Sequence, residues 1–337
     1  MKKIRWYDAT TIKEAQQEVD TTVSAILQNN KRGTSIIKSG GLDVMDLMKE
    51  GLIAPEKVVN IRNVTGLDKI EFSAKSGVRI GANVTLAAIE KNSDIRNSYL
   101  ALHQAVAKAA TPQLRNMSTL GGNLAQRTRC WYFRSIDHPC LRKGGDTCFA
   151  KKGENEYHAV MNNGTCASVY ASSVATALMA FGAVVEIADE NGGRKSIPIE
   201  EFFVTPYEDI RKENVLKAGE IITAVVLPAV SDKVRSYYIK QGARQSYDWA
   251  LADVAVVMEM AGKKCKDAKV VLGAASPVPV RAKGAESVLM ENGVLESSAL
   301  AAAEASMEKA TPLEKNGYKV TVFKTILQRA ILKATQS

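Results

Sequence analysis

Cysteine is the residue type in this chain most able to do chemistry. Four of the five cysteines, Cys130, Cys140, Cys148 and Cys166, fall in one stretch of a 337-residue sequence. Thiolates are soft ligands, so a group of them asks first for a metal. The spacing is Cys130-x9-Cys140-x7-Cys148-x17-Cys166. A zinc knuckle uses close Cys-x2–4-Cys pairs that set two sulfurs together, and this spacing is too wide for that. An iron–sulfur cubane fits better, because its ligands are thiolates and it needs no short pair. Zinc and unligated thiols stay open, as does replacement of one sulfur by His138 or His158. Cys265, between lysines at an expected strand turn, reads as a free thiol.

The charges around these cysteines are one-sided. Residues 127–152 hold Arg127, Arg129, Arg134, Arg142, Lys143, Lys151 and Lys152 against Asp137 and Asp146. Four thiolates on an oxidised cubane leave a net charge of about −2, and a positive shell would offset its burial. A solvated loop accounts for the charges equally well, but not for the cysteines.

Two glycine pairs, Gly40-Gly41 and Gly121-Gly122, form a second chemical signal. Glycine lets a backbone approach a ligand closely, and successive N–H groups then cradle phosphate oxygens. Two such loops in separate sections suit a dinucleotide held between them. Neither is a GxGxxG after a first strand and neither is a P-loop. Taken without their flanks, both pairs read better as tight turns.

The elements that must position these residues follow from periodicity. Residues 1–30 read as a strand and then a helix, with a Thr11–Glu14 capping box and an apolar stripe Ile12, Ala15, Val19, Val23, Ile26. A strand at 35–38 runs into the first glycine pair, a helix follows at about 43–50, and a strand at 57–62. Further strands are expected at 70–74, 77–81, 183–188 and 221–227, with helices at about 98–110 and from Ser172 or Ser173 to Phe181. Asn191-Gly192-Gly193 reads as a turn. The last third reads as strands 234–240, 251–260 and 267–274, then helices near 281–291, 296–309 and 318–334.

Composition bounds the class. The length implies two or three domains. No run reaches the ~18 apolar residues of a membrane span, and the N-terminus lacks an apolar signal region, so a cytoplasmic location is expected. The net charge of +9 comes from 45 basic residues dispersed beside 36 acidic ones. No basic–aromatic recognition motif accompanies it, which argues against nucleic acid.

The residues flanking the glycine pairs carry a family resemblance. Ile37-Lys38-Ser39-Gly40-Gly41-Leu42-Asp43-Val44 and Gln113-Leu114-Arg115-Asn116-Met117-Ser118-Thr119-Leu120-Gly121-Gly122-Asn123 resemble the two flavin segments of the FAD-binding medium subunits of the xanthine oxidase, or molybdenum hydroxylase, family. Ile80-Gly81-Ala82, Gly219-Glu220-Ile221-Ile222, Gly273-Ala274, Pro279-Val280-Arg281-Ala282 and Tyr318…Arg329-Ala330 extend the likeness along nearly the whole chain. The insertion after Asn123 resembles the cysteine loop of the 4-hydroxybenzoyl-CoA reductase branch.

The resemblance implies an α+β fold. It places a two-subdomain FAD-binding domain at 1–228 (subdomains about 1–62 and 63–228, cysteine loop 127–167) and a carbon monoxide dehydrogenase-type flavoprotein domain at 229–337. It implies FAD held by residues 37–44, Thr111, Asn116, Thr119, Leu120, Gly121, Gly122, Asn123, Ser173 and Lys240, and a 4Fe-4S cluster on Cys130, Cys140, Cys148 and Cys166. Ser173 stands where the family usually has an aspartate, and Lys38-Ser39 where small apolar residues are usual. The implied role is an electron-transfer subunit without catalytic residues of its own. Its partners would be a 2Fe-2S small subunit and a molybdenum-cofactor large subunit, assembled as a dimer of heterotrimers. A ferredoxin-like donor or NAD is the external partner expected. A self-contained FAD oxidoreductase and a zinc-stabilised binding protein are the alternatives.

Overall fold

A computed structural model describes residues 3–29, 34–245, 247–262 and 264–336. The described strands form three sheets. The first contains β1 (Arg5–Asp8), β2 (Ser35–Lys38) and β3 (Lys57–Asn60), all parallel, in the order β1-β3-β2. Parallel neighbours need crossovers, and helices Ile12–Glu18, Val23–Asn29 and Leu42–Lys49 supply them.

The apolar stripe from Ile12 to Ile26 predicts one helix, and the structure has two. The Thr11–Glu14 capping box forms, but the chain turns extended at Val19. Ser35 N–H donates to Asp20 Oδ1 (2.8 Å), and Asp20 N–H donates to Ser35 Oγ (2.9 Å). Thr22 Oγ1 then accepts from Ala25 N–H (3.2 Å) and starts the second helix. Short polar side chains that bond to nearby backbone compete with helix continuation, and here they win over the stripe.

The second sheet contains β4 (Ile70–Ser73), β5 (Gly77–Gly81), β6 (Val184–Ala188), β7 (Arg194–Pro198) and β8 (Ile221–Leu227). It is antiparallel, in the order β4-β5-β8-β6-β7. The Asn191-Gly192-Gly193 turn joins β6 to β7, with Gly192 at φ +82°. Helices Leu86–Lys91, Leu100–Ala107 and Ser173–Ala180 share its core through Ile89, Leu102, Val174 and Leu178. Each such burial is worth roughly 1.5–3 kcal/mol, so this core dominates the domain's stability.

The third sheet contains β9 (Val234–Gln241), β10 (Ala252–Ala261), β11 (Lys264–Gly273) and β12 (Val280–Arg281), antiparallel in the order β12-β11-β10-β9. Helices Lys283–Asn292, Glu296–Ser306 and Tyr318–Ala334 pack against it. Cys265 stands beside the expected turn, next to the Ala261–Lys264 pair that closes the hairpin between β10 and β11. It lies within β11, buried in this core, and its thiol donates to the Asp267 carbonyl (3.2 Å). None of the described helices is long and apolar enough to cross a membrane.

The cysteine stretch lies between these layers. Phe133 and Cys140 share a core with Ile26, Leu47, Met48 and Val58 of the first layer. Its far end is held by the C-terminal segment. The fully buried Asn316 side chain donates to the carbonyls of His158 (3.2 Å) and Ala159 (3.1 Å), and accepts from Leu313 N–H (2.7 Å). Lys319, also fully buried, donates to the carbonyls of His158 (2.8 Å) and Ala274 (2.9 Å). An Asn316→Ala variant leaves the Leu313 N–H without a partner and opens a small void. It is expected to destabilise the chain by about 2 kcal/mol, the order expected for one orphaned buried polar group. Denaturant unfolding measures the loss. Hydrogen exchange should quicken at residues 155–163 more than at β5 or β8; equal change everywhere would contradict a local clamp.

Candidate functional site

The two glycine pairs meet. Met117, just before the second pair, has its carbonyl where a Cβ on Gly40 would lie, so only glycine allows the loops to pack this closely. Gly41 caps the Leu42–Lys49 helix at φ +85°, a conformation other residues adopt with strain. Gly121 packs on Ala82, where an added Cβ would come within 2.9 Å of the Ala82 Cβ.

Side chains fasten the same junction. Ser39 Oγ donates to Asn83 Oδ1 (2.7 Å) and lies 2.8 Å from Thr119 Oγ1. Asn83 Nδ2 donates to the Ile61 carbonyl (2.6 Å), which ties the junction to the end of β3. Backbone bonds from Leu120 N–H to the Val84 carbonyl (3.0 Å) and from Gly121 N–H to the Ala82 carbonyl (2.8 Å) hold the second loop beside the segment after β5.

A cleft of about 450 Å³ opens on this junction. That volume lies in the range of small-molecule and cofactor sites. The mouth forms outside the carboxyl end of β2, where open parallel sheets generally place their ligands. Residues 37–44 line it, together with Thr111, Thr119, Gly121, Gly122, Asn123, Ser173 and Lys240. Two of the expected residues lie elsewhere. Leu120 is fully buried in the core beneath, and Asn116 is exposed on the Pro112–Met117 helix. Arg115 of the same motif turns inward, paired with Glu90 (2.8 Å) and bonded to the carbonyls of Ala109 and Ala110.

Lys38 and Lys240 are among the cations that line the cleft. Lys38 Nζ donates to Asn60 Oδ1 (3.1 Å), and burial and then nearby Arg62 hold its pKa below the usual lysine value. Lys240 Nζ donates to the Lys108 carbonyl (3.0 Å), with burial again lowering its pKa. Ser172 caps the helix that begins at Ser173 and donates to Asn123 Oδ1 (2.5 Å). Ser173 is therefore free of the capping duty and faces the cleft.

The four clustered cysteines line a second, smaller cavity, together with Phe133, Arg142, Phe149 and Ser168. All are free thiols, Cys140 and Cys166 buried and the other two half-buried. Burial pushes the Cys130 thiol up to about 12. Cys148 and Cys166 share a hydrogen bond that raises the first and lowers the second, and Arg142 assists the lowering. His158 Nε2 lies 3.2 Å from Cys130 Sγ, whereas His138 Nδ1 lies 3.0 Å from Ser135 Oγ. Among the described residues, no three His, Cys, Asp or Glu side chains converge on a position for one metal ion. Four sulfurs and the buried Arg142 side chain thus line one small cavity.

Arginines join the two cavities. Asp43, in the first turn after the Gly40-Gly41 loop, accepts from Arg127 N–H (2.8 Å) and pairs with Arg129 (3.0 Å) and Arg134 (2.5 Å). Arg129 also lies over the Trp249 ring at the cleft (5.2 Å). Arg127 and Arg129 stood out only as part of a basic run. Glu213, which lies between Arg127 and Arg142, had no signal in the sequence, because it sits in an irregular segment with no motif.

Residues 2–230 match the family described as the FAD binding domain in molybdopterin dehydrogenase, and residues 237–334 match the CO dehydrogenase flavoprotein C-terminal domain. The chain belongs to the flavoprotein subunits of the molybdopterin dehydrogenases. Among its curated relatives is the aldehyde oxidoreductase FAD-binding subunit PaoB of Escherichia coli K12, 32% identical over 94% of this chain and 97% of the relative. The nicotine 6-hydroxylase medium subunit of Paenarthrobacter nicotinovorans is 27% identical over 89% of each chain. The solved carbon monoxide dehydrogenase of Hydrogenophaga pseudoflava has a chain of the same fold, with TM-score 0.73, 21% identity and coverage of 99% of this chain and 98% of that one. This flavoprotein subunit is accordingly an oxidoreductase component of α+β fold, with a FAD-binding domain followed by a carbon monoxide dehydrogenase-type C-terminal domain.

The packing at Gly40 gives this flavoprotein subunit a sharp test. Gly40→Ala forces its methyl group against the Met117 carbonyl, a backbone atom that cannot rotate away. The expected cost is about 1–3 kcal/mol of stability, as for other overpacked sites. The variant should also purify with a lower flavin-to-protein absorbance ratio. Wild-type flavin content in a folded Gly40→Ala protein would show that the loop junction does not form the flavin site.

Proposed function

We propose that this chain carries FAD in the cleft and a 4Fe-4S cluster on Cys130, Cys140, Cys148 and Cys166, and serves as an electron-transfer subunit of a heteromeric molybdenum hydroxylase-type enzyme. The observation that carries the reading is that the four sulfurs line one cavity, joined to the FAD cleft through buried arginines. In a cubane each thiolate binds a different iron. One zinc would need its ligands to converge on a single position, and among the described residues no three His, Cys, Asp or Glu side chains do so. The cysteine loop is the feature that supports a place near the 4-hydroxybenzoyl-CoA reductase branch.

Bound FAD exchanges electrons singly or in pairs, and a bound cluster exchanges them singly. The protein's part is placement. The Ser39–Asn83–Thr119 junction fixes the two glycine loops against the FAD pyrophosphate. Lys38 and Lys240 offset its charge, and Ser173 offers a neutral hydrogen-bonding group. Asp43 ties the first loop to the cysteine stretch, so the two sites hold a constant separation. Substrate chemistry belongs to a molybdenum-bearing partner subunit, with a 2Fe-2S subunit completing a heterotrimer that pairs into a dimer. The external partner is a ferredoxin-like donor or NAD.

Anaerobic purification with iron and flavin analysis tests the reading. The expected composition is one flavin and, for a single cubane, about four irons per chain. Cys148→Ser should lose iron while keeping FAD, because Cys148 lines only the smaller cavity. Zinc in place of iron, or unchanged iron in the variant, would overturn the assignment.

A further inference from the structure

A buried ion bridge runs between the two cavities. Arg127 Nε lies 2.5 Å from Glu213 Oε2, and Arg142 Nη1 lies 3.2 Å from Glu213 Oε1. The three side chains are at most 4% exposed. Arg127 and Glu213 line the cleft, and Arg142 lines the cysteine cavity. Arg142 Nε donates to Cys166 Sγ (3.3 Å), and its Nη1 also donates to the Lys212 carbonyl (3.0 Å). Arg127 is held at its other end by Ser24 Oγ (2.6 Å) and the Arg211 carbonyl (3.0 Å).

Stability does not explain this arrangement. Buried ion triads are often matched or bettered by apolar side chains of similar volume, because desolvation offsets their attraction. Within the bridge two guanidinium groups face one carboxylate, with Asp43 as a further carboxylate near Arg127. Arg142 Nη2 is buried without a hydrogen-bond partner. An anion in the cysteine cavity would supply the missing acceptor.

We propose that the Arg127–Glu213–Arg142 bridge sets the reduction potential of the iron–sulfur centre facing the flavin cleft, with Arg142 favouring the reduced form and Glu213 opposing it. The inference rests on the cluster reading above. Reduction adds one electron, and so one negative charge, to the centre. A guanidinium beside a cysteine sulfur favours that form, and a carboxylate behind it opposes it. The two ends of one bridge must therefore shift the potential in opposite directions when neutralised, which loss of a structural contact alone would not produce.

The test is an anaerobic, mediated redox titration of the full chain, followed by EPR, with iron and FAD measured in each sample. Arg142→Met is expected to shift the one-electron equilibrium at least tenfold toward the oxidised form, about 59 mV downward. Glu213→Gln, nearly isosteric, is expected to shift it at least tenfold the other way. Shifts below twofold in both, or shifts of the same sign, with iron at the wild-type level, overturn the proposal. Should Arg142→Met fail to hold iron, Glu213→Gln decides: an upward shift supports the bridge, and no shift or a downward one overturns it. Iron-free wild-type protein would instead sink the cluster reading itself, so the two failures are distinct.

Discussion

The contact between the two glycine loops is the constraint on which the rest is built. Gly40 lies against the Met117 carbonyl, and Ser39 is fixed between Asn83 and Thr119. These bonds join the parallel sheet to the antiparallel one, since Asn83 follows β5 and Ser39 follows β2. A cleft between two layers persists only if the layers cannot slide, and a close backbone contact with buried polar bonds meets that need. A larger residue at Gly40 would separate the layers before it altered any ligand contact.

From this junction the charge network leads outward. Asp43 stands one helical turn from Gly40 and gathers Arg129, Arg134 and the Arg127 backbone, so the cysteine stretch begins at a fixed place relative to the cleft. Beyond it, Arg127, Glu213 and Arg142 run inward to Cys166. The C-terminal segment closes the far end through Asn316 and Lys319. A loop that would be irregular in isolation is thus fastened at its entry, its middle and its exit. Four cysteines distant in sequence can then keep one mutual arrangement.

Much of the fold was legible because its signals are local. The capping box at Thr11, the strand before Gly40-Gly41 and the turn at Asn191-Gly192-Gly193 each depend on a few adjacent residues, and each stands as read. The long helix expected through Val19 did not form, because Ser35, fifteen residues away, bonds to Asp20. Cys265 was legible as a free thiol beside a turn, but its burial was not, since strand β11 carries its side chain into a core shared with three helices.

The sequence by itself determined the types of chemistry: thiolates in one stretch, two glycine loops with their flanking motif, and the family they announce. Those are properties of covalent order, and short-range spacing preserves them. Only tertiary structure decided which residues share a cavity. It turned Leu120 and Arg115 away from the cleft although both lie in the flavin motif, and it brought Glu213 between two arginines that precede it by 86 and 71 positions. No pattern along the chain encodes that meeting. It follows from how three sheets pack, since a buried carboxylate is stable only where the packing also delivers its cations.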